Sequence, residues 1–357
     1  LAVLMNVPLF LAYLISVIIM VFLPIGLAVW VTRKFKVSWW VILVGVVTFL
    51  VSQLARIPAA NGLNTLFNNG TIPVPSQQWL PLFNGLVGGL LAGIFEETAR
   101  WGGFMLLNSR FNGLRNWLRR VFKKSDTVDA KPLAKKYGSA LALGVGHGGT
   151  ESILLFAMYM ASTLFTVIFY NAGAQIAKGV STDQVQYMLA QIQQFWSNPW
   201  TMGFLPGVER VIALSTQIFL STLVWKAIAD RSFLWFALAV IYHMIIDAVS
   251  VFLSGIGWSY WAVEGVLAIF MAFNIYMIIR FVKEEREIEA EMAEEGEVDD
   301  EDEDDKDEDD EVDDEEEVDV DEDAEDQPLE DESDDADGED SADSEFKWPD
   351  VDSSDSK

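Results

Sequence analysis

The sequence predicts an all-α protein, a polytopic bundle of about seven transmembrane helices followed by a disordered acidic tail. Two observations lead to this fold class. Apolar runs of membrane-spanning length recur through residues 1–283 and stop there. Beyond that point, residues 284–357 hold 44 acidic and 4 basic residues, whereas residues 1–283 hold 10 acidic and 20 basic ones. The net charge of −30 is therefore a property of the tail and not of the membrane part.

Seven runs are long enough, at about 20 apolar residues, to cross the roughly 30 Å of hydrocarbon in a bilayer. They lie at 7–31, 38–58, 79–107, 138–170, 204–229, 233–254 and 259–281. The first run has no basic stretch before it and continues at full spanning length, so we expect a span and not a cleavable signal peptide. Windows longer than a span leave room for tilt or a break.

The distribution of basic residues predicts the orientation. Lys and Arg follow the first, third, fifth and seventh runs, and nine of them lie between residues 108 and 138. Because positively charged loops stay in the cytoplasm, we expect the N-terminus outside and the acidic tail in the cytoplasm. The stretches 59–78 and 171–203 then lie outside, and "DQVQYMLAQIQQFW" has the period of a helix that rests on the membrane surface.

The tail, residues 284–357, has too few large apolar residues to offset the entropy cost of ordering, so we expect it to be disordered. A solvating or spacer role is the simplest interpretation. A cation or a basic partner protein is the other candidate, and nothing indicates nucleic acid. The absence of cysteine excludes disulfides, cysteine metal sites and thiol nucleophiles.

Ionisable side chains inside a bilayer are costly, so each needs a partner, an enclosed cavity or a function. The stretch "GIFEETARWGGF" places Glu96, Glu97 and Arg100 in the third run, and both histidines of the chain, His147 and His243, also lie inside runs. The remaining ionisable groups singled out within the runs are Glu151, Glu209, Arg210, Asp247 and Glu264.

Helical spacing groups these side chains. Arg100 lies four residues after Glu96 and three after Glu97, so it can pair with either carboxylate. The segments "GHGGTES" and "YHMIIDA" each place a histidine four residues before an acidic residue. Counted from the cytoplasmic end of each run at 1.5 Å per residue, Glu96, His147 and His243 come roughly 14–17 Å deep. We therefore expect side chains from three helices to meet at one level.

Carboxylate and imidazole at one depth, without a nucleophilic Cys or Ser motif, predict the activation of water. Glu96 serves as general base in this hypothesis, and Glu97 and Arg100 set its charge and position. Two histidines and a carboxylate also suit one Zn²⁺ ion with an open position for water. The candidate ligands are His147, His243, Asp247 and Glu96. The spacing is not that of HExxH, so a metal-free mechanism stays open.

Each group also has a structural interpretation. The EExxxR motif can be a buried ion pair, and the two histidines can be packing residues. Glu151 and the adjacent pair Glu209 and Arg210 can lock helices together, and Glu264, nearer the outer face, is expected to be structural. The glycines of "GVGHGGTES" serve either close helix packing or the approach of a substrate.

The motifs "QLARIPA", "EETAR", "GVGHGGTES", "GVERVIAL" and "YHMIID", in this order, resemble the YhfC family of intramembrane metalloproteases. That family is distantly related to the CAAX prenyl protease and bacteriocin-processing (CPBP) peptidases. The resemblance covers roughly residues 5–283. It implies that Glu96 activates the hydrolytic water and that Glu97 pairs with Arg100. It also implies that a metal or the oxyanion is held by His147, His243 and Asp247.

Two positions depart from the family pattern. Leu143 stands where the larger group often has an aromatic residue four positions before its first histidine, so substrate packing is expected to differ there. Gln217 stands where the YhfC pattern usually has a further histidine, about 18 Å deep by the same helical rise. We expect Gln217 to act as a hydrogen-bonding group, and any metal to be bound more weakly than in relatives.

The sequence thus predicts a prokaryotic plasma-membrane endopeptidase that cleaves a membrane-protein or lipidated-peptide substrate in or near the bilayer. One rival is a transporter or a small-molecule or ion-binding membrane protein that uses the same polar cluster. Another is a non-catalytic scaffold that binds a partner through its tail. A peptidase needs Glu96 and His147 close enough for one water molecule to bridge them. A proton relay needs polar groups that lead to both membrane faces.

Overall fold

A computed structural model describes residues 5–107, 137–171 and 181–304, and this part of the chain is helical throughout, without a strand. The all-α prediction is confirmed. The nine α-helices of the described part are α1 (Val7–Lys34), α2 (Trp39–Asn68), α3 (Leu80–Leu107), α4 (Tyr137–Glu151), α5 (Met158–Asn171), α6 (Thr182–Ser197), α7 (Leu205–Ala229), α8 (Phe233–Gly255) and α9 (Tyr260–Asp304). A π-helical turn, Ser152–Ala157, joins α4 to α5, and a 3-10 turn, Trp200–Phe204, leads into α7.

Six helical segments are long and apolar enough to cross a membrane. They are Val7–Lys34, Trp39–Asn68, Tyr137–Phe169, Trp200–Ala229, Phe233–Gly255 and Tyr260–Ile288. Their outward faces carry exposed apolar side chains such as Phe22, Leu54 and Ile269, as a lipid-facing surface requires. The predicted third span, α3, has the same length, 28 residues, as α1, but it contains the three charged residues of the EExxxR motif. Because of these charges, α3 is less apolar than the six segments and is not one of them.

Short turns fix which helix ends lie together. Residues 35–38 join α1 to α2, residues 230–232 join α7 to α8, and residues 256–259 join α8 to α9. Ser38 caps α2 by accepting a hydrogen bond from the Trp40 amide at 3.3 Å. Gly257 takes a positive φ of 89° in the last of these turns, a conformation that glycine adopts without a steric cost. The helices that these turns connect therefore run in opposite directions.

A stripe of glycines brings α3 against α8. Gly85, Gly89 and Gly93 recur every four residues, and a Cβ on Gly89 would lie 2.7 Å from the carbonyl oxygen of Met244. Such small residues let two helix backbones approach closely inside a membrane. Glu97 is the next position of this stripe, so it must also face α8. The close packing of α3 and α8 thus prepares the contact between Glu97 and His243.

Helix α4 lies at the centre of the bundle and is buried from Tyr137 to Thr150. A Cβ on Gly146 would lie 2.2 Å from the carbonyl oxygen of Ile42, and one on Gly148 would lie 2.6 Å from Cβ of Gln217. These glycines let α4 pack tightly between α2 and α7. Of the two roles considered for them, the structure shows helix packing.

Large apolar side chains fill the end of the bundle that carries the α1–α2 and α7–α8 turns. We call this group the apolar layer, and its largest buried members include Val41, Phe104, Leu107, Tyr137, Leu143, Leu220, Trp225 and Phe281. Leu143 and Leu220 are fully buried, and the edge of the Tyr137 ring packs on Trp225 with ring centroids 5.3 Å apart. The layer thus closes this end of the bundle with packed apolar side chains.

Helix α9 continues through Asp304, past the predicted boundary between residues 1–283 and the tail. Residues 284–304 are therefore helical and correct the prediction of disorder for this part. Glu, Arg, Ala and Met dominate the segment that directly follows Lys283, and these residues favour helix. Residues 305–357 lie outside the described residues. The helices of the bundle pack within one compact unit, which ends at Glu297.

Helix α6 corresponds to the predicted amphipathic segment. A capping box of Ser181 and Gln184 begins it, and its buried side chains Ile192 and Trp196 pack against Leu9 and Val167. Its predicted place on the membrane surface stays a prediction.

Candidate functional site

The EExxxR motif forms a buried charge cluster on α3. Glu97 and Arg100 are fully buried, and Glu96 is only 3% exposed. Arg100 donates a hydrogen bond from Nη1 to Oε1 of Glu97, and its Nη2 lies 3.8 Å from Oε2 of Glu96. Because isolated buried charges are expensive, one guanidinium between two carboxylates lowers the cost of keeping both in the bundle. The predicted pairing within this motif is therefore present.

His243 of α8 meets this cluster through both ring nitrogens. Its Nδ1 lies 2.8 Å from Oε1 of Glu97, and its Nε2 lies 4.0 Å from Oε2 of Glu96 and 3.8 Å from Oδ2 of Asp247. A carboxylate paired with Arg100 can only accept, so Nδ1 carries a hydrogen and donates it to Glu97. Nε2 is directed toward Glu96 and Asp247, and in the neutral ring it has a free lone pair.

His147 of α4 is oriented in the same way, because a neighbouring side chain contacts its Nδ1. Its Nδ1 lies 3.0 Å from Oγ1 of Thr48, and that hydroxyl lies 2.7 Å from the carbonyl oxygen of Gly45. The single hydroxyl proton of Thr48 goes to the carbonyl, which can only accept, so Oγ1 accepts from Nδ1. Nε2 of His147 lies 3.3 Å from Oε2 of Glu96, and in the neutral ring this nitrogen has the free lone pair.

Two imidazole Nε2 atoms therefore face one oxygen of Glu96, at 3.3 and 4.0 Å. Metal-binding histidines are commonly oriented in this way, with the second nitrogen held by a carboxylate or another acceptor. The donor chemistry suits Zn²⁺. Among the described residues, however, no three or more His, Asp or Glu side chains are arranged closely enough to hold a metal ion. The predicted ligand set of His147, His243, Asp247 and Glu96 is thus brought together only in part.

Gln217 extends the cluster to α7. Its Oε1 accepts a hydrogen bond from Nη2 of Arg100, and its Nε2 donates to Oε2 of Glu151 at 2.7 Å. Glu151 in turn accepts from Arg210 at 2.9 Å, and Arg210 also donates to Glu209 at 2.6 Å. The prediction that Gln217 is a hydrogen-bonding group is consistent with these contacts.

The π-helical turn after α4 contacts Arg210, the last residue but one in the series of polar contacts that runs from Arg100 to Glu209. Phe156, which lies in that turn, places its ring 3.4 Å from the guanidinium carbon of Arg210. Ser152, in the same turn, donates a hydrogen bond to the carbonyl oxygen of Met20. Single π-helical turns inside α-helices are frequent at functional sites because they redirect side chains. Here the turn follows Glu151 directly.

A cavity of about 130 Å³ lies beside Glu96 and has room for several water molecules. Its polar lining consists of Gln53, Arg56, Glu96, Glu151, Glu209, Arg210, Thr216, Gln217, His243, Asp247 and Ser250. The glycines of α4 and Leu143 do not line it, so the space expected beside the glycine-rich helix lies elsewhere. The wall is built mainly from α2, α7 and α8, with single residues from α3, α4, the π turn and α9.

Sequence reasoning missed three polar residues of α2. Gln53 donates to Oε1 of Glu96 at 3.2 Å, and Arg56 lies 3.9 Å from the same oxygen while it donates to Gln53. Thr48, the third, holds His147. Gln53 and Arg56 belong to the segment "QLARIPA", so that motif was the available signal. Glu264 lies outside this group: it does not line the cavity, and its Oε2 is buried without a hydrogen-bond partner in the described part of the chain.

Residues 19–118 and 126–267 match the family model described as YhfC intramembrane metalloprotease. The chain belongs to the YhfC family. A relative in Bacillus subtilis (strain 168), named "Uncharacterized membrane protein YhfC", is 31% identical over 260 residues, which cover 72% of this chain and 90% of the relative. No solved structure matches the chain. The resemblance seen in the motifs is confirmed, and the protein is a multi-pass membrane protein of this family.

Proposed function

We propose that this YhfC protein is an intramembrane endopeptidase that hydrolyses a peptide bond in or near the bilayer. The observation that supports it most is the position of Glu96. Its Oε2 lies opposite Nε2 of both histidines, at 3.3 and 4.0 Å, on the wall of a cavity that can admit water. A carboxylate next to water and to imidazole is a common arrangement for hydrolysis.

Glu96 is the general base of the proposal. It removes a proton from a water molecule in the cavity while the water oxygen bonds to the carbonyl carbon of the substrate. The carbon–nitrogen bond then breaks, and Glu96 returns the proton to the leaving amine. Gln53 holds the other carboxylate oxygen at 3.2 Å, so the side chain keeps one orientation during both transfers.

His147, His243 and Asp247 form the proposed metal or oxyanion site. Bound by these residues, one Zn²⁺ ion would polarise the substrate carbonyl and make water more acidic. Thr48 and Glu97 keep the two Nε2 atoms directed at the same space, and such supporting contacts strengthen ligand binding. Asp247 would be the third ligand, since it lies 3.8 Å from Nε2 of His243 and faces the cavity.

A proton relay or an ion carrier is the rival function, since the contacts from Glu97 through Arg100, Gln217 and Glu151 to Arg210 form a chain of polar groups. A relay across a membrane needs such groups on both sides of its centre. This chain runs toward one end of the bundle, and the apolar layer occupies the other. Hydrolysis, which needs water from one side only, fits this arrangement better.

The substrate of the proposal is a membrane protein or a lipidated peptide in a prokaryotic plasma membrane. The tail, residues 284–357, then lies in the cytoplasm, where a cation or a basic protein is its candidate partner. A distant relationship to the CPBP peptidases remains part of this proposal. The family name indicates a metal, and Zn²⁺ is our choice from the donor types.

Metal content and cleavage test the proposal together. The purified protein in detergent is expected to contain about one zinc per chain by elemental mass spectrometry, and to cleave members of a library of membrane-spanning peptides. His147→Ala and His243→Ala should lose both zinc and cleavage, whereas the matched control Glu264→Gln should keep both. Cleavage without zinc would remove the metal from the proposal, and the absence of cleavage in a zinc-loaded protein would contradict it.

A further inference from the structure

The cavity extends from Glu96 toward a single end of the bundle. On α2 its lining includes Gln53 and Arg56, which come after Phe49 in a helix that leads to residues 69–79. On α8 it includes Asp247 and Ser250, which come after His243 and lead to the turn at 256–259. On α7 it includes residues from Glu209 to Gln217, in the first half of that helix. All these segments lie on the same side of Glu96.

Side-chain exposure increases along this direction. Glu96 is 4% exposed, Glu151 17%, Asp247 39% and Glu209 41%. Charged groups that face hydrocarbon would cost several kcal/mol each. The exposed carboxylates of Asp247 and Glu209 therefore indicate that water, and not lipid, reaches this end of the cavity.

The opposite side of Glu96 is closed. Leu143, Leu220 and Trp225 of the apolar layer are at most 2% exposed, and they lie on the far side of His147 and Gln217 along their helices. Ser221 and Thr222 are buried there too, but both hydroxyls donate to carbonyl oxygens of their own helix. These two hydroxyls therefore provide no polar path through the layer.

Basic residues distinguish the two ends. Arg33 and Lys34 end α1 on the side of the apolar layer, and Arg231 lies in the α7–α8 turn on the same side. The sequence between α3 and α4 adds nine Lys or Arg. Such residues stay in the cytoplasm, so the wet end of the cavity belongs to the opposite, outer face.

We propose that water and substrate reach Glu96 from the non-cytoplasmic side of the membrane. The substrates are then membrane-anchored chains whose scissile bond lies in the outer half of the bilayer or just outside it. The statement about substrates rests on the proposed function, whereas the statement about access does not. An aqueous opening to the outside also explains why the polar lining of the cavity, from Glu96 to Glu209, extends toward that face.

The absence of native cysteine makes the test direct, because single cysteines can be introduced without removing others. Ser250→Cys reports on the cavity lining, and Leu220→Cys on the apolar layer. Ser76→Cys, in the α2–α3 connection, and Ser232→Cys, in the α7–α8 turn, report on the two faces. Each variant is treated in intact cells and in opened membranes with a membrane-impermeant, positively charged methanethiosulfonate reagent.

We expect Ser76→Cys and Ser250→Cys to react in intact cells, and Ser232→Cys only in opened membranes. Ser250→Cys should react at least about tenfold faster than Leu220→Cys, since a thiol in a dry apolar site is a poor nucleophile. Protection of Ser250→Cys until the membranes are opened would overturn outer access. So would a Ser250→Cys that does not react at all while Ser76→Cys does.

Labelling needs no turnover, which separates the two proposals. If Ser250→Cys reacts from outside but the protein cleaves no membrane peptide, outer access stands and the peptidase proposal fails. If the protein cleaves peptides but Ser250→Cys reacts only from the cytoplasmic side, the peptidase stands and outer access fails. Monodisperse gel filtration of each variant confirms that it is folded before it is scored.

Discussion

The two halves of the bundle on either side of Glu96 are stabilised in different ways. On the side of the apolar layer, large side chains such as Leu220 and Trp225 exclude water and hold the helices by packing. On the cavity side, carboxylates, guanidinium groups and amides hold the same helices by hydrogen bonds. Both halves contain segments of α7, so the change occurs within one helix, near Gln217.

The two halves differ in how many charged side chains they contain inside the membrane. Buried polar groups are expensive unless they are paired, and nothing in packing alone requires them. Most of the buried ionisable groups in the described part of the chain lie at the level of Glu96 or on the side that water can reach, whereas Lys226, paired with Asp230 and Glu284, lies in the other half. We infer that the polar half exists for chemistry, and that the apolar half closes the site and supplies rigidity.

The strongest way to break the polar half is Arg100→Ala. The change leaves Glu97 without its cation and Gln217 Oε1 without its donor, and removal of one partner of a buried ion pair costs about 3–5 kcal/mol. We expect loss of cleavage and a lower free energy of unfolding, measured by denaturant titration in detergent. Arg100→Lys, which keeps the charge, is the matched control and should lose less stability. Equal stability of Arg100→Ala and the wild type would show that the cluster does not hold the helices.

A smaller effect is expected from Leu220→Ala in the apolar half. When the bundle comes apart within the membrane, the Leu220 side chain moves from protein into lipid and not into water. The substitution therefore costs only the lost packing contacts and the cavity that it leaves. The loss should lie at the low end of the range for such substitutions, about 2 kcal/mol. Cleavage by the folded protein should stay within about threefold of the wild type, since Leu220 belongs to the apolar layer and does not line the cavity. This bound corresponds to less than about 1 kcal/mol in the barrier. A change in activity much larger than this, with stability unchanged, would contradict the division into two halves.

Thr48→Val sharpens the comparison at the boundary. Valine keeps the shape of the side chain and removes the acceptor of the His147 Nδ1 hydrogen, so Nε2 loses its fixed orientation. Loss of such a supporting contact lowers metal affinity or activity about 10–100-fold. Zinc competition with a chelator measures the first and peptide cleavage the second. Thr32→Val in α1 is the control, because the buried Thr32 hydroxyl donates to carbonyl oxygens of its own helix, at Ala28 and Val29, and should matter less.

The sequence allowed the central contacts to be predicted because they follow from helical geometry. The depth count placed Glu96, His147 and His243 at one level, and the structure brings Glu96 within 3.3 Å of one histidine and 4.0 Å of the other. The four-residue spacing placed Arg100 beside the carboxylates. Long apolar runs also predicted the all-α fold, and six of the seven predicted spans coincide with segments that are long and apolar enough to cross a membrane.

Other parts could not be predicted because their residue types are common in any helix. Thr48 looks like the many threonines that bond only to their own backbone, and it does that as well as holding His147. Gln53 and Arg56 reach Glu96 only because α2 packs beside α3. Spacing along a single helix does not reveal such a tertiary contact. The π turn after Glu151 has no pattern that distinguishes it from a regular helix. Past Lys283, helix propensity continues α9 where composition suggested disorder.

The most direct test of the central claim follows the oxygen of water. The reconstituted protein is incubated in H₂¹⁸O with a membrane-spanning peptide that it cleaves, and the products are weighed by mass spectrometry. Water activated by Glu96 should place one ¹⁸O in the new carboxylate, and Glu96→Gln should slow product formation by about 10²–10⁴-fold, the range for loss of a general base. Product formed by Glu96→Gln at the wild-type rate, or product without ¹⁸O, would contradict the proposed role of Glu96.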